Sequence, residues 1–470
     1  MKSFHLFIVF LSSFTLAGGG TYSQGLQPIG TIASPVTPDK GTKAAPAALV
    51  ITLKECLKRS VANSPRLKIA GLEHLRLQYN YKASVGIGLP QVRLTGSYDD
   101  YLRLPTQMIP NIFSSPPNPS EMIPVQFGTS FNISGAVEAS QVIFDQSWLS
   151  GLRMARQVMQ QNELATEKSR IEVVYEVAQT YYLTQIARQQ IRNMESNLEK
   201  IEKAEKIAQS QYENGIIRRI DLDRIAVQKN NMITGIDRLS VTYLQNLDLQ
   251  KYYMGLDPAE EIVPEDSIST AIVTPGTTGD AASHIDIRMI GMQKEVLTAS
   301  VRMERASYFP SIVLIGSLNY LNQSNTMYLF GKPTDWFNTS LVGIRLSVPL
   351  FSGMQNHYKV CQTKIEIEKL KVTEDDTRLL LRINSEDAAR KLLNSAEAEK
   401  RQRENMALGE RVYNISQEQY QKGMIPLTDL LNAETALSDA QANHVYALVQ
   451  MKISELNYLK ANGLLLQIVE

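Results

Sequence analysis

Few residues in this chain are typed and spaced for covalent or metal chemistry. Gly331-Lys332-Pro333-Thr334 has the outline of the end of a phosphate-binding loop, whose backbone cradles phosphates. Pro333 stands where that loop needs a Ser or Thr hydroxyl, and Thr326 replaces its leading glycine. Neither Gly-x-Ser-x-Gly nor His-Glu-x-x-His occurs, and the five histidines are scattered without metal-ligand spacing. Cys56 and Cys361 are too few for a disulfide framework, and each sits in a helical pattern. These features predict no enzyme, no cofactor and no metal site. Basic and acidic residues balance at 48 each, so no net positive charge favours nucleic acid.

The residues that do recur in a fixed pattern belong to the chemistry of turns. Gln209-Ser-Gln-Tyr-Glu-Asn-Gly-Ile-Ile-Arg-Arg-Ile-Asp-Leu222 returns as Gln417-Glu-Gln-Tyr-Gln-Lys-Gly-Met-Ile-Pro-Leu-Thr-Asp-Leu430. Tyr212, Gly215, Asp221 and Leu222 align with Tyr420, Gly423, Asp429 and Leu430. A glycine three residues after the tyrosine can take the positive φ that ends a helix and reverses the chain. An aspartate six residues later can cap, or favour by charge, the start of a returning helix. Ile216, Ile217, Met424 and Ile425 then place apolar side chains at exposed turns.

The elements that must carry these turns also repeat. Leu89-Pro-Gln-Val-Arg-Leu-Thr-Gly-Ser97 returns as Phe309-Pro-Ser-Ile-Val-Leu-Ile-Gly-Ser317. A repeat of roughly 210 residues far exceeds a solenoid unit and implies a duplication of the whole chain. Leu53 to about Val85 has helical spacing, with Thr52 and Glu55 as a capping box and a break at Pro65. From Gln91 the period becomes two. A Pro-rich loop, Tyr101 to Met122, is followed by one long alternating strand, with Val125, Phe127, Phe131, Ile133, Val137 and Ile143 on a single face. In the second half, Ile312, Leu314, Gly316, Leu318 and Tyr320 share one face. Val342, Ile344, Leu346, Val348 and Leu350 share the face of a partner strand, across a loop at about Asn322 to Asp335. Tyr98, Tyr101, Tyr320, Tyr328 and Trp336 are candidates for an interfacial aromatic belt. After each hairpin comes a proline-free amphipathic run, Gln146 to Tyr212 and Ser352 to Tyr420. Each is about 67 residues, or ~100 Å as a helix.

These signals divide the chain into a signal peptide (1–24), a flexible mature N-terminus (25–50) and a first repeat (51–255). A connector (256–283), a second repeat (284–465) and a tail (466–470) follow. The first repeat holds a β-hairpin (91–144) and a helical hairpin (146–255); the second holds a β-hairpin (311–351) and a helical hairpin (352–462). The signal peptide rests on Leu6 to Leu16, too short an apolar run to span a bilayer, and on the small residues after it. Gly19 stands where a lipoprotein signal would carry Cys. No later stretch is apolar for the ~18 residues that a spanning helix needs, so a membrane-spanning role falls to strands. Four strands per chain cannot close alone. Two copies give eight strands and a filled interior; three give twelve and a lumen.

In order of elements and in both turn motifs, residues 50–465 resemble the TolC family of outer-membrane channel proteins. The resemblance implies a mixed fold: long antiparallel helical hairpins forming an α-barrel, plus transmembrane β-barrel strands, internally duplicated. It implies a homotrimer with a twelve-stranded barrel in outer-membrane lipid and a periplasmic helical tunnel. It implies a periplasmic adaptor (membrane-fusion protein) and an inner-membrane pump of RND or ABC type as partners. The function expected is a passive exit duct for small molecules such as drugs or metabolites. Alternatives are the exit duct of a type I protein secretion system and, in another class, an exported coiled-coil scaffold. The family's adaptor-docking tip carries over to Asn214, Gly215, Ile216, Lys422, Gly423 and Met424. Glu205, Glu213, Glu410 and Glu418, near the tips, are candidates for a periplasmic gate.

Overall fold

The computed structural model describes residues 49–113, 115, 118–265, 273, 276, 281–327 and 336–469. The expected signal peptide, nearly all of the flexible N-terminus, most of the connector, Tyr328, the Gly331–Thr334 segment and Glu470 lie outside them. Each repeat runs helix, strands, long helix, returning helix.

The first repeat opens with β1 (Leu49–Ile51), α1 (Leu53–Asn63) and α2 (Pro65–Gly86). Thr52 Oγ1 accepts the backbone N–H of Glu55, and Pro65 sits at the first turn of α2, where its missing N–H costs nothing. Four strands follow: β2 (Gln91–Asp100), β3 (Thr106–Asn111), β4 (Asn118–Gln126) and β5 (Phe131–Asp145). Then α3 (Gln146–Glu213) turns into α4 (Arg219–Met254). β6 (Ile262–Pro264) pairs in parallel with β1 and so fastens the connector to the start of the fold. The second repeat has α5 (Ile285–Ala306), β7 (Ser311–Ser324), β8 (Trp336–Ser347), α6 (Gln355–Gln421) and α7 (Leu427–Ala461).

The main sheet has the order β2-β5-β7-β8, antiparallel throughout. Its register sorts the side chains. Val92, Ala139, Gly316 and Val342 form one row across the sheet, and Leu94, Val137, Leu318 and Ser340 form the next on the same face. Arg93, Glu138, Ser317 and Leu341 lie between them on the opposite face, and Thr95, Ala136, Asn319 and Thr339 form the next row there. One face is therefore mainly apolar and the other mainly polar. Tyr98, Ile133, Asn322 and Trp336 make up one row near the loop end, and Tyr320 lies in a neighbouring row, which groups three of the five belt candidates, with Tyr101 just beyond.

Three expectations for the strands need correction. The long strand from Val125 to Ile143 is divided: β4 ends at Gln126, and Gly128, at φ +107°, turns the chain before β5 begins. The Pro-rich stretch is also not simply a loop, because β3 and β4 pair as a second hairpin. A two-stranded ribbon has only edges, so Pro110 and Pro124 sit in it without breaking a ladder on both sides. β8 ends at Ser347, short of the expected Leu350, because Pro349 has no N–H to continue pairing.

The main buried core joins the start of the fold to its end. Ile51, Cys56 and Leu57 pack with Val173, Val174, Val177 and Tyr181 of α3 and with Leu456, Leu459 and Leu465. Gln250 Nε2 donates to Cys56 Sγ at 3.2 Å, and burial pushes this thiol up to about 12, so it stays protonated and inert.

Candidate functional site

Both hairpin tips are the same helix-ending turn. At the first, Gly215 N–H bonds to Tyr212 O at 2.9 Å and Ile216 N–H to Gln211 O at 2.8 Å. At the second, Gly423 N–H bonds to Tyr420 O at 2.9 Å and Met424 N–H to Gln419 O at 2.9 Å. This crossed pair of bonds is the Schellman motif, which satisfies carbonyls that the helix leaves free and requires a left-handed residue at its turn. Gly215 and Gly423 both have φ +72°, with open space where a Cβ would stand. The Tyr-x-x-Gly spacing is thus set by backbone geometry: the glycine is the turn residue, and its N–H bonds the tyrosine carbonyl.

The aspartates differ. Asp221 Oδ2 accepts the backbone N–H of Arg218 at 3.4 Å and lies 3.8 Å from the Arg218 guanidinium, while Oδ1 lies 3.6 Å from that of Arg224. Asp429 has the same place in α7, but its counterpart of Arg218 is Pro426, which has no N–H to offer. Asp429 is exposed in the first turn of α7, where its charge favours the helix dipole.

The apolar turn residues also divide. Ile216 and Met424 are 70% and 71% exposed at the extreme ends, whereas Ile217 and Ile425 turn inward. They join a cluster in which Ile201, Ala204 and Ala208 of α3 and Ile225 of α4 meet Tyr420, Leu427, Leu430 and Leu437 of the second hairpin. The two tips therefore pack side by side. Tyr420, 4% exposed, donates its hydroxyl to Gln211 Oε1 at 2.9 Å, while Tyr212 is 36% exposed. Further along this seam Asn197 Nδ2 donates to Gln441 Oε1 at 2.8 Å. Gln228 Nε2 donates to Glu434 Oε2 at 3.1 Å. Glu434 is 1% exposed, its Oε1 has no partner among the described residues, and burial raises its carboxyl above the ordinary range.

The four glutamates near the tips are not gathered into one cluster. Glu205 binds Lys229 Nζ at 2.9 Å within the first hairpin, and Glu213 accepts from Gln209 Nε2 at 2.7 Å on its own helix. Glu410 and Glu418 are exposed on α6. Gln211 and Glu434 were not among the site candidates. Gln211 stands out in the sequence only by its repetition as Gln419, and Glu434 reads there as an ordinary surface acid of an amphipathic helix.

With this geometry described, comparison with known proteins decides the family. The profile described as "outer membrane efflux protein" matches residues 56–228 and 281–463, nearly all of both repeats. The chain belongs to the outer membrane efflux protein family. No curated protein matches it significantly. Among solved structures it is similar to the CmeC outer membrane channel of Campylobacter jejuni. There the identity is 15% and the TM-score 0.68, over 92% of this chain and 94% of that one. The VceC outer membrane protein of Vibrio cholerae gives 14% and 0.65, over 87% and 96%. The open state of the MtrE channel of Neisseria gonorrhoeae gives 15% and 0.63, over 87% and 88%. As an outer membrane efflux protein, the chain is an outer-membrane channel of the tripartite-efflux type, and its helical hairpins form the long periplasmic extension.

Proposed function

We propose that this protein is the passive exit duct through which small molecules, drugs or metabolites among them, leave the cell. It works as a homotrimer whose copies complete a twelve-stranded barrel in outer-membrane lipid and a helical tunnel in the periplasm. The observation that carries this reading is the open sheet. β2 and β8 each have a neighbour on one side only, while one sheet face is mainly apolar and the other mainly polar. Unpaired backbone groups are not tolerated in lipid, so these edges must find each other in other copies. No described helix is long and apolar enough to cross a membrane, which leaves the strands to do it.

The tips, Asn214, Gly215 and Ile216 with Lys422, Gly423 and Met424, are the docking surface for a periplasmic adaptor. Through it the channel meets an inner-membrane pump of RND or ABC type, which supplies the energy. Exposed Ile216 and Met424 support this, because apolar side chains held out at the far end of a hairpin are covered by nothing among the described residues. Glu410 and Glu418, exposed and without an ion pair among the described residues, are the better candidates for a gate than Glu205 and Glu213. The test is an Ile216→Asp/Met424→Asp variant. It should insert and assemble like the unaltered protein yet lose adaptor capture and export. Full export from a correctly assembled variant would remove the docking role.

A further inference from the structure

The internal repeat specifies how one copy touches the next at the tips, an inference that rests on the trimeric reading above. Within the chain, the second hairpin reaches back to the first: the Tyr420 hydroxyl bonds to Gln211 Oε1 at 2.9 Å. In the aligned turn motifs Tyr212 corresponds to Tyr420, and Gln419 to Gln211. The pair Tyr420 and Gln211 is withdrawn from solvent, whereas Tyr212 and Gln419 are both exposed, with the Tyr212 hydroxyl oxygen beside the Arg219 side chain and still able to donate its own proton. One such contact is made inside the chain, and both residues of a second are exposed on its outer sides.

The neighbouring positions follow the same rule. Ala204, Gln441, Val449 and Lys452 are withdrawn from solvent on the helices α3 and α7 that meet between the hairpins. The same repeat offset takes them to Val412, Ile233, Val241 and Leu244, all exposed, on the outer helices α6 and α4. Three positions that would be unremarkable as polar surface are instead apolar on α4: Gln441 and Lys452 have become Ile233 and Leu244, and Val449 remains Val241. A duplicated fold that buries these positions between its own halves buries them again when the same step is taken to another copy.

We infer that Tyr212 of one copy donates its hydroxyl to Gln419 of the adjoining copy, and that the Ile233, Val241 and Leu244 face of α4 packs on the α6 face carrying Val412. The tip ring is then made of alternating tyrosine–glutamine contacts, one within each copy and one between copies. The occupant of the open side is a second copy of this chain, and the filled seam inside the chain is its template.

The test uses the full-length protein in outer membranes, in a Cys361→Ser background, with its mass measured separately in mild detergent. Tyr212→Cys/Gln419→Cys, treated with a short bis-maleimide, should give covalent dimers and trimers. A thiol-spanning reagent is needed because a tyrosine–glutamine contact holds Cα atoms beyond disulfide reach. Tyr420→Cys/Gln211→Cys should react only within the chain and leave the band at monomer mass. Because the cysteine pair removes the contact it reports, a photo-reactive benzoylphenylalanine at Tyr212 keeps the aromatic ring and should attach to a peptide containing Gln419 of another chain. A trimeric mass with neither cross-link would overturn the tip contact and leave the trimer standing. A monomeric mass would overturn both.

Discussion

At the scale of the residue, the tips turn on two backbone conformations. Gly215 and Gly423 sit in the left-handed region with empty space around them, so a larger residue meets φ strain and no clash. That strain is about 1–2 kcal/mol per site. Gly215→Val/Gly423→Val should therefore leave assembly in the membrane intact while loosening both tips. Protease cleavage at the tips should rise and export should fall; normal export from an inserted double variant would contradict the role given to the turns. Glu434 offers a second prediction. Burial raises its carboxyl, so the folded chain holds the proton more tightly than the unfolded one. Its stabilising share is complete below the usual glutamate value of ~4.3 and is lost as the pH rises through the raised value. Glu434→Gln should raise the thermal dissociation temperature at pH 8, with the gain shrinking on acidification; equal curves at every pH would contradict the buried charge. The glycines were legible in the sequence because the Schellman turn fixes their distance from the tyrosine. Glu434 was not, since a lone acid in an amphipathic run carries no sign of which face it occupies. Asp429 shows the converse: its alignment with Asp221 suggested a shared cap, but the proline before it removes the N–H that such a cap bonds.

At the scale of the element, period and length carried most of the information. The two long helices, 68 and 67 residues, were marked by uninterrupted amphipathic spacing without proline and bounded by their turns. The strands were marked by alternation, but alternation alone did not reveal the break at Gly128, because the apolar period continues across it from Val125 and Phe127 to Phe131. The β3–β4 hairpin was hidden for a different reason. Its prolines argue against a central strand, and only tertiary structure shows that both strands are edges. This hairpin lies outside the main sheet, whose β2–β5 register runs from Gln91 opposite Ser140 to Asp100 opposite Phe131 without it. Replacing residues 106–126 with a short glycine–serine turn should accordingly preserve trimer assembly, measured by mass in mild detergent. Loss of the trimer would mean that the second hairpin holds copies together.

At the scale of the whole molecule, the chain is half-finished by design: its sheet is open at β2 and β8, and its outer helices α4 and α6 show apolar side chains. Each feature alone is an oddity on a monomer. On the trimeric reading proposed above, each copy is one wall segment of a closed tube, with a mainly apolar strand face for lipid and a mainly polar face for a lumen. The duplication makes this architecture legible in the sequence, since two copies of strands followed by long helices imply two similar staves. How the staves meet is not legible there, because the Tyr420–Gln211 contact joins residues of different helices far apart in the chain. The central claim, that copies of this chain complete a membrane barrel with a long periplasmic tube, is tested most directly by electron microscopy of detergent-extracted protein processed without imposed symmetry. The account predicts a three-fold particle with a short barrel and a protruding tube about 100 Å long, the length of α3 at 1.5 Å per residue. A monomeric or filamentous particle without a barrel would contradict it.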